Sequence, residues 1–181
     1  MRRTGWISGR KVQYSACNKL YRRDLIVSRP FPKGAYEDFS WTTSVFCDVD
    51  SFAVIDEPLY VYCQNGEASS ITRSAFSVSK LTDSFAAIMR VLDYAKGKPS
   101  WPFALRQAAD GLSSTIGQVY KEMKRVREKS ESEGKSESER KSELLSTFNI
   151  QLSTLAATHS QVMKKISLKA RFRLWNLRRM K

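Results

Sequence analysis

The chain has 181 residues, of which 41% are hydrophobic, and a formal net charge of +13. This length allows one domain with a substantial core, or a small domain with helical appendages. The positive charge favours an anionic partner, such as nucleic acid, an anionic membrane surface or a phosphate-bearing substrate, without choosing among them.

Cysteine and histidine usage argues against a metal-binding or disulfide-bonded class. Cys17, Cys47 and Cys63 are widely spaced and odd in number, which predicts buried, reduced thiols in a cytosolic protein. His159 is the single histidine, and no Gly-x-Ser-x-Gly motif accompanies it. We find neither a secretory signal nor an apolar run of about 18 residues. We therefore predict a cytoplasmic protein, soluble or peripheral at the inner face of the cell membrane.

The first part of the chain mixes helical and strand patterns. Residues 24–26 predict a short helical piece, and residues 29–34 predict a loop because they contain two prolines and a glycine. Residues 37–49 predict a helix whose apolar stripe has a spacing of three and four residues. Residues 52–63 are rich in β-branched and aromatic residues, which predicts two short strands divided at Pro58.

The remainder of the chain is predicted to be helical. One amphipathic helix runs from about residue 77 to 97, and a second from about 101 to 127. Residues 128–143 contain no apolar residue, so they predict either a charged linker or a solvated helix extension. A third helix is expected over 144–158 and a basic one over 161–178.

Four landmarks follow one another between residues 15 and 73. They are Asn18-Lys19-Leu20-Tyr21-Arg22-Arg23-Asp24-Leu25-Ile26, Phe31-Pro32-Lys33-Gly34-Ala35-Tyr36-Glu37-Asp38, Ile55-Asp56-Glu57-Pro58-Leu59-Tyr60-Val61-Tyr62 and Ser69-Ser70-Ile71-Thr72. Each is weak alone, but the ordered series resembles the acceptor-side, C-terminal part of bacterial family 2 glycosyltransferases of the polysaccharide-synthesis type. The resemblance covers about a third of the chain.

The resemblance implies an α/β fold, a partial glycosyltransferase A-type (Rossmann-like) fragment followed by a helical C-terminal appendage. The expected domains are an acceptor-side portion over 1–75, a helical extension over 76–127, the charged linker over 128–143, and C-terminal helices over 144–181. The implied activity is transfer of a sugar from a nucleotide sugar to a glycan or lipid-linked acceptor, in the synthesis of cell-surface polysaccharide.

An inverting sugar transfer needs a base that takes a proton from the attacking hydroxyl, and a carboxylate suits this task. In the family the aspartate of the Glu-Asp pair is that base, which carries over to Asp38. Glu37 would orient the acceptor or the loop. Lys19, Arg22 and Arg23 are the candidates to face diphosphate, with a solvated basic face as the alternative that we prefer for Arg22 and Arg23. The alternative for both acids is stabilisation of the helix N-terminus, where the helix dipole favours negative charge.

The resemblance also implies a nucleotide-sugar-binding half, with an Asp-x-Asp motif and a divalent metal, Mg²⁺ or Mn²⁺. That half should come before residue 15, where only 14 residues precede the match. Asp48-Val49-Asp50 spells Asp-x-Asp but lies after Glu37-Asp38, so we interpret it as coincidence and predict no metal or other cofactor in this chain. The chain is expected to be a C-terminal fragment that is inactive alone.

The C-terminal segment is strongly basic. Residues 161–181 carry eight Lys or Arg and no acid, with Met163, Ile166, Ala170, Leu174 and Leu177 on one helical stripe. This pattern suits an anionic membrane surface, or else a helix packed on the domain with a solvated basic face. A non-enzymatic protein that binds nucleic acid or an anionic membrane is the alternative function. Nucleic acid is the weaker choice, because no helix-turn-helix, RNP aromatic pattern or zinc spacing is visible.

Overall fold

The structure, a computed structural model, describes residues 6–7, 10–11, 14–55, 57–61, 76–129 and 135–179. Its elements, in chain order, are β1 (Trp6–Ile7), β2 (Arg10–Lys11), α1 (Arg23–Ile26), α2 (Glu37–Asp48), α3 (Val78–Ala95), α4 (Trp101–Lys129), α5 (Lys135–Thr158), α6 (Ser160–Lys165) and α7 (Leu168–Leu177). The strands β1 and β2 pair antiparallel, with Trp6 opposite Lys11.

The prediction of an α/β, Rossmann-like fragment is wrong for the described part of the chain. Helices account for 69% of the described residues. The pairing within these residues is the two-residue ladder of β1 and β2, which forms no layered sheet. The described chain is therefore a helical domain.

The predicted strands of residues 52–63 are the main error. Residues 51–55 and 57–61 lie in irregular backbone, while 56, 62 and 63 fall outside the described residues. A strand needs a neighbour to accept and donate its backbone hydrogen bonds, whereas a helix satisfies them within itself. Among the described residues no strand lies beside this segment, and Val54, Ile55 and Val61 are 53%, 60% and 80% exposed. A composition rich in β-branched and aromatic residues was therefore not sufficient to make this segment a strand.

The core lies around helix α4. Helices α2, α3, α5, α6 and α7 all pack against α4. One continuous apolar cluster joins them, and its largest fully buried members include Leu81, Phe85 and Ile88 from α3, Leu112, Ile116 and Met123 from α4, and Phe148 and Leu155 from α5. The amphipathic stripes predicted for residues 77–97 and 101–127 thus face this core. Helix α5 begins at Lys135, within the range for which the sequence left a linker and a helix extension open.

The basic C-terminal segment forms two helices instead of one. Helix α6 ends at Lys165, and the Ser167 hydroxyl accepts a hydrogen bond from the backbone nitrogen of Ala170 at 3.2 Å, which caps the start of α7. Such a serine satisfies one of the free donors at a helix N-terminus. The backbone nitrogen of Ser167 also donates to the Ser113 hydroxyl on α4 at 3.2 Å. This break allows α7 to lie against α4. None of the described helices is long and apolar enough to cross a lipid bilayer.

Candidate functional site

An open groove lies between the N-terminal loops and the start of helix α2. Its volume is about 620 Å³, and it is lined by Ala16, Cys17, Lys19, Tyr21, Ile26, Arg29, Pro30, Phe31, Asp38 and Trp41. Lysine, aspartate and aromatic side chains meet here around a mainly apolar surface. A few polar groups converging on apolar walls are typical of sites that bind small molecules.

Trp41 organises the aromatic part of the groove. Its side chain is 5% exposed, and its indole nitrogen donates to the backbone carbonyl of Arg29 at 2.9 Å. The Phe31 ring stacks on Trp41 with centroids 4.3 Å apart, and the Tyr21 ring meets it edge to face at 5.1 Å. Phe31 itself remains 50% exposed. An aromatic face is therefore held in place and open to solvent.

Lys19 and Asp38 line the same groove, from the loop and from the second residue of α2 respectively. The Lys19 ammonium donates to the backbone carbonyl of Ser15 and to the Asn18 side chain, both at 2.6 Å. Burial lowers the pKa of Lys19, and the charges of Cys17 and Asp38 only partly offset this effect. The structure thus brings together two of the three site residues predicted from the sequence.

Glu37, the third predicted site residue, is placed differently. It is the first residue of α2 and is half-buried, but it does not line the groove. Its backbone carbonyl accepts a hydrogen bond from the Ser40 hydroxyl at 3.3 Å. Together with Asp38 it contributes negative charge to the first turn, where the helix dipole stabilises it.

Cys17 is exposed at the rim of the groove, so the prediction of a buried thiol is wrong for this residue. The hydrogen bond with the Ser15 hydroxyl, at 2.9 Å, is the main cause of a lowered pKa of the Cys17 thiol, with Tyr60 contributing next. Cys47 is buried as predicted, and neither Cys17 nor Cys47 forms a disulfide. Cys63 lies outside the described residues.

A polar cluster fixes the loop that borders the groove. The Arg29 guanidinium donates to the Asp48 carboxylate at 2.6 Å and to the Ser44 hydroxyl at 3.0 Å. Asp48 also accepts hydrogen bonds from the Tyr94 hydroxyl and from Lys98, the latter at 3.2 Å. Burial acts to raise the pKa of Asp48, but these three hydrogen bonds outweigh it, so the pKa lies below its ordinary value. The cluster joins the loop, α2 and α3.

Asp48, the first aspartate of Asp48-Val49-Asp50, thus already accepts hydrogen bonds from Arg29, Tyr94 and Lys98. Within the described residues no group of three or more His, Cys, Asp or Glu side chains is arranged to hold a metal ion. The described residues offer no ligand set that fits the divalent metal implied by the resemblance, and we derive no chemical step through it.

A tight turn of the backbone leads into helix α2 just before Asp38. Gly34 has a φ of +96° and Tyr36 a φ of +62°, and helix α2 begins at the next residue. The backbone nitrogen of Ala35 donates to the Asp83 carboxylate of α3 at 3.0 Å, and the Tyr36 hydroxyl donates to Gln118 of α4 at 2.8 Å. The turn that positions Asp38 is therefore fastened to the two central helices.

The sequence identified Lys19 and Asp38 but missed the aromatic residues that line the same groove. Tyr21, Phe31 and Trp41 lie on three different segments, and no spacing rule brings such residues together. Phe31 stands between Pro30 and Pro32, and this concentration of aromatic residues near two prolines was the signal in the sequence.

No protein-family model, curated protein or solved structure matches this chain.

Proposed function

We propose that this chain supplies the acceptor side of an inverting sugar transfer of the family 2 glycosyltransferase type. The observation that carries the proposal is that Asp38, which the resemblance marks as the base, lines one groove of about 620 Å³ together with Lys19, whose charge suits a diphosphate. The helical fold of the described residues gives no support to it. The proposal depends on the residues of the groove and on the four sequence landmarks.

In the proposed reaction the Asp38 carboxylate takes the proton of an acceptor hydroxyl. The hydroxyl oxygen then forms a bond to the anomeric carbon of the donor, and the bond between that carbon and the diphosphate oxygen breaks. A positioned general base of this kind contributes roughly a hundredfold to ten-thousandfold in rate. Asp38 is half-buried at the mouth of an open groove, where an acceptor can reach it.

Lys19 and the aromatic residues have complementary roles in this scheme. The Lys19 ammonium faces the oxygens of the departing diphosphate, with which a cation interacts favourably. The exposed face of Phe31, held by its stacking on Trp41, is an apolar platform for the acceptor. The nucleotide sugar itself would be bound by a separate donor-binding half, so the 181 residues alone are expected to transfer no sugar.

Acceptor binding is tested by NMR on the full chain labelled with ¹⁵N. A panel of oligosaccharides at millimolar concentration should shift the indole N–H resonance of Trp41 in a saturable way, and Phe31→Ala should weaken the effect. The indole resonance of Trp175, which lies on α7, is the internal control. A Trp41 resonance that no oligosaccharide moves would overturn the acceptor groove.

The catalytic assignment is tested separately by transfer of radiolabelled sugar in the presence of a donor-binding polypeptide. Asp38→Asn should lower the rate by about a hundredfold or more, whereas Glu37→Gln should leave most of the activity. Equal activities of Asp38→Asn and the unaltered chain would remove Asp38 from the mechanism. Transfer by the purified chain alone would contradict the need for a donor half.

A further inference from the structure

Helix α7 has two apolar faces. The face that carries the apolar stripe identified from the sequence is buried, so it is not available to a partner. For this stripe the sequence left open membrane contact and packing on the domain, and the structure shows packing: Ile166, Ala170, Leu174 and Leu177 are at most 8% exposed, and Met163 is partly buried against the same core. These residues pack towards α4 and belong to the core of the domain. Membrane binding by that stripe is therefore ruled out in this structure.

The opposite face of α7 carries three large apolar side chains in solvent. Leu168, Phe172 and Trp175 are 82%, 61% and 49% exposed. Their spacing of four and three residues places them on one side of the helix. The Phe172 and Trp175 rings are stacked with centroids 6.1 Å apart. These three residues form a continuous exposed stripe, which we call the outer face of α7.

Basic side chains surround the outer face of α7. The Arg179 guanidinium lies over the Trp175 ring, 3.9 Å from its centroid. Lys164, Lys165, Lys169, Arg171 and Arg178 are all exposed at this end of the chain. The last acidic residue in the sequence is Glu143, so no acid on α6 or α7 neutralises them. Apolar and aromatic side chains within a ring of cations have the chemistry of a helix lying in an anionic bilayer surface.

We propose that the chain docks on an anionic lipid bilayer through the outer face of α7, with Leu168, Phe172 and Trp175 entering the boundary between headgroups and acyl chains. Arginine and lysine at the flanks meet the lipid phosphates. Tryptophan prefers this boundary because its ring is apolar and its N–H needs a polar partner. The phosphates of a nucleic acid would interact with the cations, but contact with Leu168 would add little to its affinity. Leu168 is the most exposed of the three apolar residues. The proposal is independent of the sugar-transfer function.

The test is co-sedimentation of the full chain with vesicles of phosphatidylcholine alone and of phosphatidylcholine mixed with phosphatidylserine. We expect binding to the mixed vesicles at least about tenfold stronger than to the neutral ones, since several cations contribute near the surface. The double substitution Phe172→Ala with Trp175→Ala should weaken binding by about tenfold or more. Ile150→Ala, which alters a 63% exposed apolar residue on α5, should have no effect.

The contribution of charge is tested with the double variant Lys169→Gln and Arg178→Gln. The control is the double variant Lys33→Gln and Lys96→Gln, which removes two exposed charges elsewhere on the protein. The first pair should weaken vesicle binding by several fold more than the second. Equal binding to both vesicle types, or equal loss from both pairs, would overturn the proposal. So would absence of vesicle binding together with a salt-dependent affinity for generic duplex DNA, which would assign the basic surface to nucleic acid. Circular dichroism of each variant confirms that the helices are retained.

Discussion

The indole nitrogen of Trp41 donates to the backbone carbonyl of Arg29 at 2.9 Å, while the Arg29 side chain reaches Asp48 at the end of the same helix. The loop before α2 is thus held across the helix at two points. One contact is a partly buried neutral hydrogen bond and the other a partly buried ion pair. Both contacts fix the position of the loop that lines the groove together with Asp38.

Replacing Trp41 by Phe should destabilise the domain. The change removes the hydrogen bond to Arg29 and part of a buried ring, so we expect a loss of about 1–3 kcal/mol in the free energy of unfolding. Urea denaturation followed by circular dichroism measures it. Trp175→Phe is the matched control, because Trp175 is 49% exposed, and it should change stability by less than about 0.5 kcal/mol. Similar losses from both variants would contradict the role of Trp41.

Asp48→Asn should remove part of the pH dependence of stability. The folded pKa of Asp48 is lowered, so its contribution is present above the ordinary carboxyl pKa of about 3.9 and is lost as the pH falls through the folded pKa. The side chain is only partly buried, so we expect a cost of about 1 kcal/mol at pH 7. The difference in unfolding free energy between the variant and the unaltered chain should shrink below about pH 3.9.

Glu143→Gln provides the control for this experiment, because Glu143 is exposed on α5. It should change the free energy of unfolding at pH 7 by less than about 0.5 kcal/mol. If the Asp48→Asn variant lost the same amount of stability at pH 7 and at pH 3, the ion pair with Arg29 would not be the source of the effect.

A comparison of two glycines with positive φ, Gly34 and Gly97, distinguishes the cost of backbone strain from the cost of steric crowding. A Cβ at Gly34 would lie 2.8 Å from the Asp83 carboxylate, whereas at Gly97 nothing lies within 4 Å. Both substitutions to Ala incur the conformational cost of about 1 kcal/mol, but Gly34→Ala must also displace the acceptor of the Ala35 N–H. We expect Gly34→Ala to be the more destabilising by about 1 kcal/mol. Equal unfolding free energies for the two variants would contradict this prediction.

Cys17 should react faster with iodoacetamide than Cys47. It is exposed and its thiol pKa is lowered, chiefly by the hydrogen bond with Ser15, whereas Cys47 is buried. The thiolate is the reactive form, so Ser15→Ala should move the rate profile of Cys17 to higher pH. Peptide mass spectrometry at several pH values measures the rate for each cysteine separately. An unchanged profile in Ser15→Ala would assign the lowered pKa to another neighbour.

The helices were predictable because their signals are local. Leu81, Phe85, Ile88 and Leu92 recur at helical spacing, and the structure places all four in the core. The break before α7 was missed, although Ser167 is a residue type that begins helices and was visible in the sequence. Periodicity identified the apolar stripe of the basic segment but left open whether it meets a membrane or packs on the domain, and in the structure it packs on the domain. That choice depends on α4, which lies far away in the sequence.

The groove was predictable only in part for the same reason. Lys19 and Asp38 were named through an ordered set of motifs, whereas Tyr21, Arg29, Phe31 and Trp41, which line the same groove, were not assigned to it. The cluster of Asp48 with Tyr94 and Lys98 joins residues too distant in sequence for any local pattern to connect. Long-range hydrogen bonds of this kind are set by helix packing.

The irregular segment before residue 62 has a practical consequence. Val54, Leu59 and Val61 present β-branched and aliphatic side chains to solvent, with 53%, 72% and 80% exposure. An irregular segment with exposed apolar side chains can pair with the same segment of another molecule, which is the route to cross-β aggregation. Concentrated preparations should therefore scatter light increasingly with time, and Val54→Lys should slow this, because a charge at such a position opposes stacking of identical chains.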